Sequence, residues 1–352
     1  MKTLIVPMAG QSSRFPNTRP KWMLTHPSTN RFMVTESILG LNLDFFDQIY
    51  FVCLQDHQDK YMFLDGFLRE LEDVGLYEKS KVAFLPEKTR SQSETVYQLI
   101  KSENIEGFIF IKDSDGFFKC NLDDTKNQVA YFDLNDLDNI NARTKSYLQL
   151  DVNNVVTNIV EKRVISSTFC VGGYGFEDAL EFCDTYEKFK DLSQECYVSH
   201  IIFEMMLFGS SFYGTKTTQF KDWGTLTEWN KFKREHKCLF VDIDGTIVTN
   251  SSIHFPPYVG TGEPLQGNID FLNELRDSDK VAIVLTTSRP ESMREATIRE
   301  MKRIGMGFDS LIMGLPHCER IVINDFANSN PYPSCRAINL PRNSDKLREF
   351  FE

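Results

Sequence analysis

The chain has 352 residues, 41% hydrophobic and 12% aromatic, which is enough to bury a large core and sets two domains as the expectation. Its formal net charge of -11 and pI of about 5.2 exclude a basic field for duplex nucleic acid or an anionic membrane, so an anionic substrate needs locally placed cations or metals. Eight cysteines without a CxxC pair and six histidines without HExxH exclude a disulfide framework and the common zinc signatures.

Buried reduced thiols fit a cytoplasmic protein, and Leu4 to Ala9 is too short for a signal-peptide core; nothing approaches a membrane span. From the N-terminus, short β-rich runs alternate with helical patterns. TLIVPMA (3–9), QIYFVCL (48–54), KVAFL (81–85), GFIFIKD (107–113), VVTNIVEK (155–162) and TFCVGGYGF (168–176) predict strands of an α/β layer with a mostly parallel sheet. After the polar stretch KFKREHK (231–237), strands are expected at CLFVDIDGT (238–246), VAIVLTT (281–287), RIVIND (320–325) and CRAINL (335–340), a second and smaller α/β unit. The expected domains are 1–232 and 238–352. Apolar faces such as IIFEMMLF (201–208) read as core, and the oligomeric state, homo-oligomer included, stays open.

The exit from the first strand, VPMAGQSSRFPNTRPKWML (6–24), is longer than a turn requires. It lies at the carboxyl end of a strand, where open parallel sheets bind ligands. Gly10, Ser12 and Ser13 let backbone N–H groups approach phosphate oxygens, and Arg14 and Lys21 add charge on a loop long enough to wrap a triphosphate. KDSDG (112–116) closes another strand, with Asp113 and Asp115 spaced to reach one divalent ion or to hold a ribose and an ion together. Glu161 and Lys162 end the run IVEKR (159–163), where a cation can hold a substrate phosphate, and KDWGTLTEW (221–229) offers Asp222 as a second metal ligand.

On these residues the first 230 positions resemble the sugar-1-phosphate nucleotidyltransferases, whose sheet is related to that of the GT-A-like nucleotide-diphospho-sugar transferases. The resemblance implies a Rossmann-like fold of that type, with a nucleoside triphosphate gripped by Ala9, Gly10, Ser12, Ser13, Arg14 and Lys21. It implies Mg2+ held by Asp115 and Asp222, with Asp113 beside the ion on the nucleotide. It implies that Glu161 and Lys162 meet the sugar and its phosphate with Gly173 nearby, and that TRSQSETV (89–96) contacts the base through Gln92 and Ser93. Arg14, Lys21 and Lys162 are the implied catalytic cations. CTP, UTP or dTTP is favoured over ATP, and the acceptor is a phosphorylated sugar or polyol. WML after Lys21 and DWGT resemble members from capsular and surface-polysaccharide gene sets. Both reactants of such a transfer are anions, so the site needs cations and Mg2+ rather than a protein nucleophile.

FVDIDGTIV (240–248) is a hydrophobic strand followed by Asp-x-Asp-Gly-Thr. It resembles motif one of the haloacid-dehalogenase (HAD) superfamily of phosphohydrolases, which implies Asp242 as nucleophile and Asp244 as general acid and base. The same resemblance makes Thr287 the phosphate-binding residue and brings Asp325 to Mg2+ with Asp242 and Asp244. Leu315 stands where that superfamily carries a lysine, and neither Lys302 nor Arg320 is well placed by spacing to replace it. The segment PPYVGTGEPLQG (256–267) leaves no room for a separate cap, so a small capless HAD-like Rossmannoid domain is expected.

Together these readings describe a transferase making an NDP- or CDP-activated sugar or polyol, joined to a phosphatase for a related intermediate, in capsule or surface-polysaccharide biosynthesis. The alternatives are a transferase with a catalytically degenerate scaffold unit, a GT-A glycosyltransferase, and a nucleotide-sensing protein. A sugar donor has only a diphosphate to hold, which argues against the glycosyltransferase.

Overall fold

Runs of branched and aromatic residues separated by short polar breaks make the strands. In the first unit these are β1 (Lys2–Pro7), β2 (Gln48–Leu54), β3 (Ser80–Leu85), β4 (Phe108–Lys112), β5 (Gly116–Lys119), β6 (Asn127–Asp133), β7 (Tyr147–Leu150), β8 (Val156–Val160), β9 (Thr168–Phe176), β10 (Phe212–Lys216) and β11 (Thr218–Asp222). The computed structural model describes residues 1–10, 12–136, 145–191, 196–250, 262–278, 280–325 and 334–351, and the chain divides into Met1–Phe232 and Lys233–Glu352.

Nine strands of the first unit form one sheet in the order β10-β6-β9-β4-β1-β2-β3, with β7 paired to β9 and β8 to β7; β5 and β11 form a separate antiparallel ribbon. The four strands β4-β1-β2-β3 are parallel, with Leu4 opposite both Ile49 and Phe110. Their residues alternate between two cores: Ile5, Val52 and Ile109 face one, while Leu4, Phe51 and Phe110 face the other. Helices Gln92–Glu103, Ala179–Phe189 and Val198–Leu207 cover the first face, and helices Met33–Ile38 and Leu64–Asp73 the second.

The sheet is mixed rather than mostly parallel, because β9 runs antiparallel to both β4 and β6, and β7 to both β8 and β9. The physical reason is connection length. Only residues 151–155 separate β7 from β8, too few for the crossover that a parallel pair needs.

The second unit has β12 (Lys237–Asp242), β13 (Val281–Thr286) and β14 (Ser310–Ile312), parallel and in that order. Ile243, Ile269, Leu272, Ile283, Leu285 and Met301 form its core under helices Gln266–Asp277 and Arg294–Arg303. The expected strands at 320–325 and 335–340 are absent: neither stretch joins a ladder, and Ile321, Val322 and Ile323 are exposed. Apolar, branched residues favour extended backbone, but a strand exists only where a neighbour takes its hydrogen bonds. Residues 256–261 lie outside the described residues, and with them most of the expectation about a cap.

All eight cysteines are free; Cys53, Cys170, Cys183 and Cys196 are buried, but Cys238, Cys318 and Cys335 are exposed, so burial does not extend to every thiol. Among the described residues no helix is long and apolar enough to cross a membrane.

Gly173 in β9 sits against the second core with no room for a side chain. A β-carbon there would come within 2.7 Å of the Phe118 ring and 2.9 Å of both Ala130 and the Phe110 ring. Gly173→Ala is expected to destabilise the protein by about 1–3 kcal/mol through overpacking, and urea unfolding measures it.

Candidate active site

A cleft of about 610 Å³ opens beyond the carboxyl ends of β1 and β4. One wall is the loop that follows β1. Phe15 is buried against Met33, Trp223 and Trp229, and Trp22 is buried with its ring 4.8 Å from that of Phe63. Arg14 and Lys21 each immediately precede one of these anchors, which fixes where the two cations emerge. Ser12, in left-handed backbone with φ of 49°, ties the loop across itself: its hydroxyl accepts from the Lys21 N–H at 3.0 Å and its carbonyl from the Phe15 N–H at 2.8 Å.

The opposite wall is the turn after β4, which carries Asp113 and Asp115. Lys21 Nζ lies 2.5 Å from Asp115 Oδ2, and Arg14 Nη2 lies 3.7 Å from the same oxygen. Burial works against charge on Asp115, but Lys21 and Arg14 outweigh it and hold this carboxyl well below the usual carboxylate range. Asp113 behaves oppositely. Burial, and then the neighbouring Asp115 charge, push its carboxyl up, although Gln92 Nε2 donates to its Oδ1 at 2.5 Å. Gln92 is held there by its helix: Ser91 is the N-cap, its hydroxyl accepting from the Glu94 N–H at 3.2 Å, while Glu94 accepts from the Arg90 N–H at 2.5 Å. Gly172, with φ of +81°, leaves room for Asp113, since a β-carbon on it would stand 2.4 Å from Asp113 Oδ2.

Asp222 reaches the cleft from the end of β11, paired with Lys145 and accepting from the Gly224 N–H at 3.0 Å. Three charged groups converge beside Gly224. A β-carbon there would lie 3.0 Å from Asp222 Oδ1, 3.3 Å from Asp115 Oδ2 and 3.6 Å from Arg14 Nη1. This pair of carboxylates fits Mg2+, which takes one or two carboxylates and completes its shell with water and phosphate oxygens. Among the described residues no group of three His, Cys, Asp or Glu side chains offers an all-protein cage.

At the far end of the cleft Glu161 accepts from the hydroxyls of Ser146 and, at 2.7 Å, Ser199. Lys162 takes left-handed backbone with φ of 54°, and its ammonium donates to Tyr197 and lies 4.2 Å from that ring's centre.

The cleft therefore gathers Ala9, Gly10, Ser12, Ser13, Arg14, Lys21, Gln92, Asp113, Asp115, Glu161, Lys162 and Asp222 from distant parts of the sequence. It does not gather Ser93, which is buried inside its helix, or Gly173, whose neighbour Gly172 lines the cleft instead. Lys145, Ser146, Tyr197 and Ser199 also line the site and were missed by sequence reasoning. For Lys145 and Ser146 the available signal was a Lys-Ser pair immediately ahead of the short strand YLQL.

In the second unit Asp242 ends β12 and Thr287 follows β13. Arg320 is well placed after all, contrary to the expectation from spacing: its Nη1 donates to Asp242 Oδ1 at 2.9 Å. Burial pushes the Asp242 carboxyl up, partly countered by Arg320. Asp244 is clamped. The buried Arg289 donates to it from Nη2 at 2.7 Å and Nε at 3.0 Å, and Thr287 donates at 3.1 Å. Arg289 also donates to Glu300 at 2.6 Å. Asp325 lies on the exposed stretch 320–325.

No family model matches the sequence, and no curated protein sequence matches it. Solved structures do match in fold. A nucleoside-diphosphate-sugar pyrophosphorylase from Vibrio cholerae RC9 aligns with a TM-score of 0.55 at 19% identity, covering 66% of this chain and 99% of its own. The inositol-1-phosphate CTP transferase from T. maritima aligns with a TM-score of 0.52 at 14% identity, covering 65% and 91%. A UDP-glucose pyrophosphorylase complexed with UDP-glucose gives 0.50 at 13%, covering 66% and 97%. At these identities what is shared is the fold, over about two thirds of the chain.

Because the folded state holds Asp113 with a raised pKa, its ionised form opposes folding above the ordinary carboxylate range and costs nothing below it. Asp113→Asn is expected to be more stable than the wild type at about pH 7, the gain shrinking as pH falls towards about 4. Urea unfolding of both proteins across that range checks the sign.

Proposed function

We propose that the first unit is a Mg2+-dependent nucleotidyltransferase that joins CTP, UTP or dTTP to a phosphorylated sugar or polyol and releases pyrophosphate. The observation that carries this reading is the convergence of Arg14, Asp115 and Asp222 beside Gly224, in a cleft that also holds Lys21, Glu161 and Lys162. An inositol-1-phosphate CTP transferase and a UDP-glucose pyrophosphorylase of the same fold support the substrate classes.

In the reaction an acceptor phosphate oxygen bonds to the α-phosphorus as the bond from that phosphorus to the β-bridging oxygen breaks, and pyrophosphate leaves with the electron pair. Repulsion between anions and misorientation make up most of the barrier, so fixed charge supplies the catalysis. Arg14 holds the β- and γ-phosphates, Lys21 the α-phosphoryl oxygens, and the backbone at Ala9 to Ser13 approaches the triphosphate. Asp115 and Asp222 would hold Mg2+, which supplies positive charge against the triphosphate. Lys162 places the attacking phosphate, and Glu161, oriented by Ser146 and Ser199, accepts from an acceptor hydroxyl. Gln92 faces the nucleoside beside Asp113. An activated sugar or polyol made in the cytoplasm is the donor that capsule or surface-polysaccharide assembly consumes.

For the second unit, the Asp-x-Asp-Gly-Thr strand end supports a HAD-like phosphohydrolase site acting on a related phosphorylated intermediate. Asp242 attacks phosphorus as the bond to the ester oxygen breaks and that oxygen leaves with the electron pair; Arg320 supplies the cation that Leu315 does not, and Thr287 holds phosphate, but the Mg2+ set expected of Asp242, Asp244 and Asp325 is not assembled among the described residues. A scaffold without turnover is the second reading. It is favoured by the Arg289 clamp, which occupies the oxygens that Asp244 needs as general acid and base.

Pyrophosphate release, assayed with each triphosphate against phosphorylated sugars and polyols, tests the first reading. Asp115→Ala and Asp222→Ala are each expected to lower it by about 10²–10³-fold with circular dichroism unchanged; near wild-type rates in both variants defeat the assignment. Phosphate release by the full chain from sugar and polyol bisphosphates, lost in Asp242→Asn, is expected for an active second unit. Its absence in the wild type decides for the scaffold.

A further inference from the structure

Lys112 is fully buried at the end of β4, an environment lysine almost never occupies unless its charge is answered. Among the described residues no carboxylate side chain forms an ion pair with it. Its ammonium donates to the Asp113 carbonyl at 2.7 Å and the Gly116 carbonyl at 2.6 Å, and it lies 4.6 Å from the centre of the Phe118 ring. Those two carbonyls are the two ends of the acidic turn.

We propose that Lys112 is a positioning residue for the divalent ion: by pinning both ends of the turn from Asp113 to Gly116, it sets where the carboxylate of Asp115 stands. The proposal rests on the reading of Asp115 and Asp222 as the Mg2+ holders. The same turn also governs Asp222, since Gly116 and Asp222 are ladder partners and the Trp223 N–H donates to the Asp115 carbonyl at 2.9 Å. One ammonium beneath the turn thus braces the carboxylates on both sides of Gly224.

The chemistry favours this role over simple packing. An apolar side chain would fill the volume without the desolvation cost of an ammonium, but it would take the ammonium's hydrogen bonds away from both carbonyls, that of Gly116 buried. A neutral donor could bond to a carbonyl, but it would not offset the repulsion between two carboxylates on one buried turn. Burial pushes the Lys112 ammonium down to about 8, so it keeps its proton at neutral pH, helped by the charges of Asp113 and Asp115.

The test uses Lys112→Met and Lys112→Gln in the full chain. Thermal unfolding checks the fold, and electron paramagnetic resonance follows Mn2+ binding in the presence of an α,β-non-hydrolysable CTP analogue. Lys112→Met is expected to weaken Mn2+ binding by about 10–100-fold and to raise by a similar factor the Mg2+ needed for half-maximal pyrophosphate release. The KM for the phosphorylated acceptor is expected to stay within about threefold of wild type, and Lys112→Gln, which can still donate to one carbonyl, to fall between. A folded variant with wild-type Mn2+ affinity overturns the proposal, as does unfolding of both variants or failure of the wild type to bind Mn2+. If the wild type binds Mn2+ but releases no pyrophosphate with any substrate pair, the nucleotidyltransferase reading fails while the binding measurement still decides the role of Lys112.

Discussion

Two carboxylates on one buried turn repel each other, and the first unit is arranged around the positive charge that lets them coexist. Lys21 comes from 94 residues away to meet Asp115. Arg14 supports it from the same loop, and Lys112 lies beneath the turn. The split between Asp113 and Asp115 follows from this arrangement: the member that faces Lys21 and Arg14 is held ionised, while its neighbour is driven towards its neutral form. A long, basic exit from β1 is therefore the counterpart of an acidic exit from β4, its parallel neighbour in the sheet.

Charge at a distance of a few ångströms acts only if its position is fixed, and the chain uses one device three times. Arg14 precedes Phe15, Lys21 precedes Trp22 and Asp222 precedes Trp223, and each of these aromatic side chains is buried. A large ring locked in the core leaves its neighbour little freedom to wander. The long exit from β1 thus presents Arg14 and Lys21 with the precision that the end of β11 gives Asp222. Phe15 and Trp223 share a single cluster, so the bases of the Arg14 and Asp222 walls are packed together.

The parallel half of the sheet was legible because it is buried on both faces, which makes β1, β2 and β4 read as continuous apolar runs. The antiparallel half was legible in part: the strands at 155–162 and 168–176 were expected and form β8 and β9, but their direction is set by connection lengths rather than by composition. YLQL, and GFFK in the separate ribbon, are too short to stand out as strands. In the site, residues that carry chemistry at a strand end, such as Asp115 and Glu161, announced themselves. Lys145, Ser146 and Ser199 did not, because each matters only through a partner 15 to 77 residues away, a relation that no local pattern encodes. The same limit worked in reverse for Arg320, which spacing set aside and which the chain path brings to Asp242.

The two units hold their aspartates in ways that differ in kind. Lys21 and Lys145 meet Asp115 and Asp222 each through one ammonium at the tip of a flexible stem, partly open to the cleft. Such a partner exchanges readily: in the proposed reaction each ammonium can leave its carboxylate for a phosphate oxygen, which frees Asp115 and Asp222 for the Mg2+ they would hold. Asp244 is instead gripped by a planar guanidinium that is itself buried and tied behind to Glu300. Arginine held on both sides has no such freedom, and removing its partner would strand a buried charge. The first arrangement is suited to a carboxylate that changes partners during a reaction, and the second to one that keeps its place.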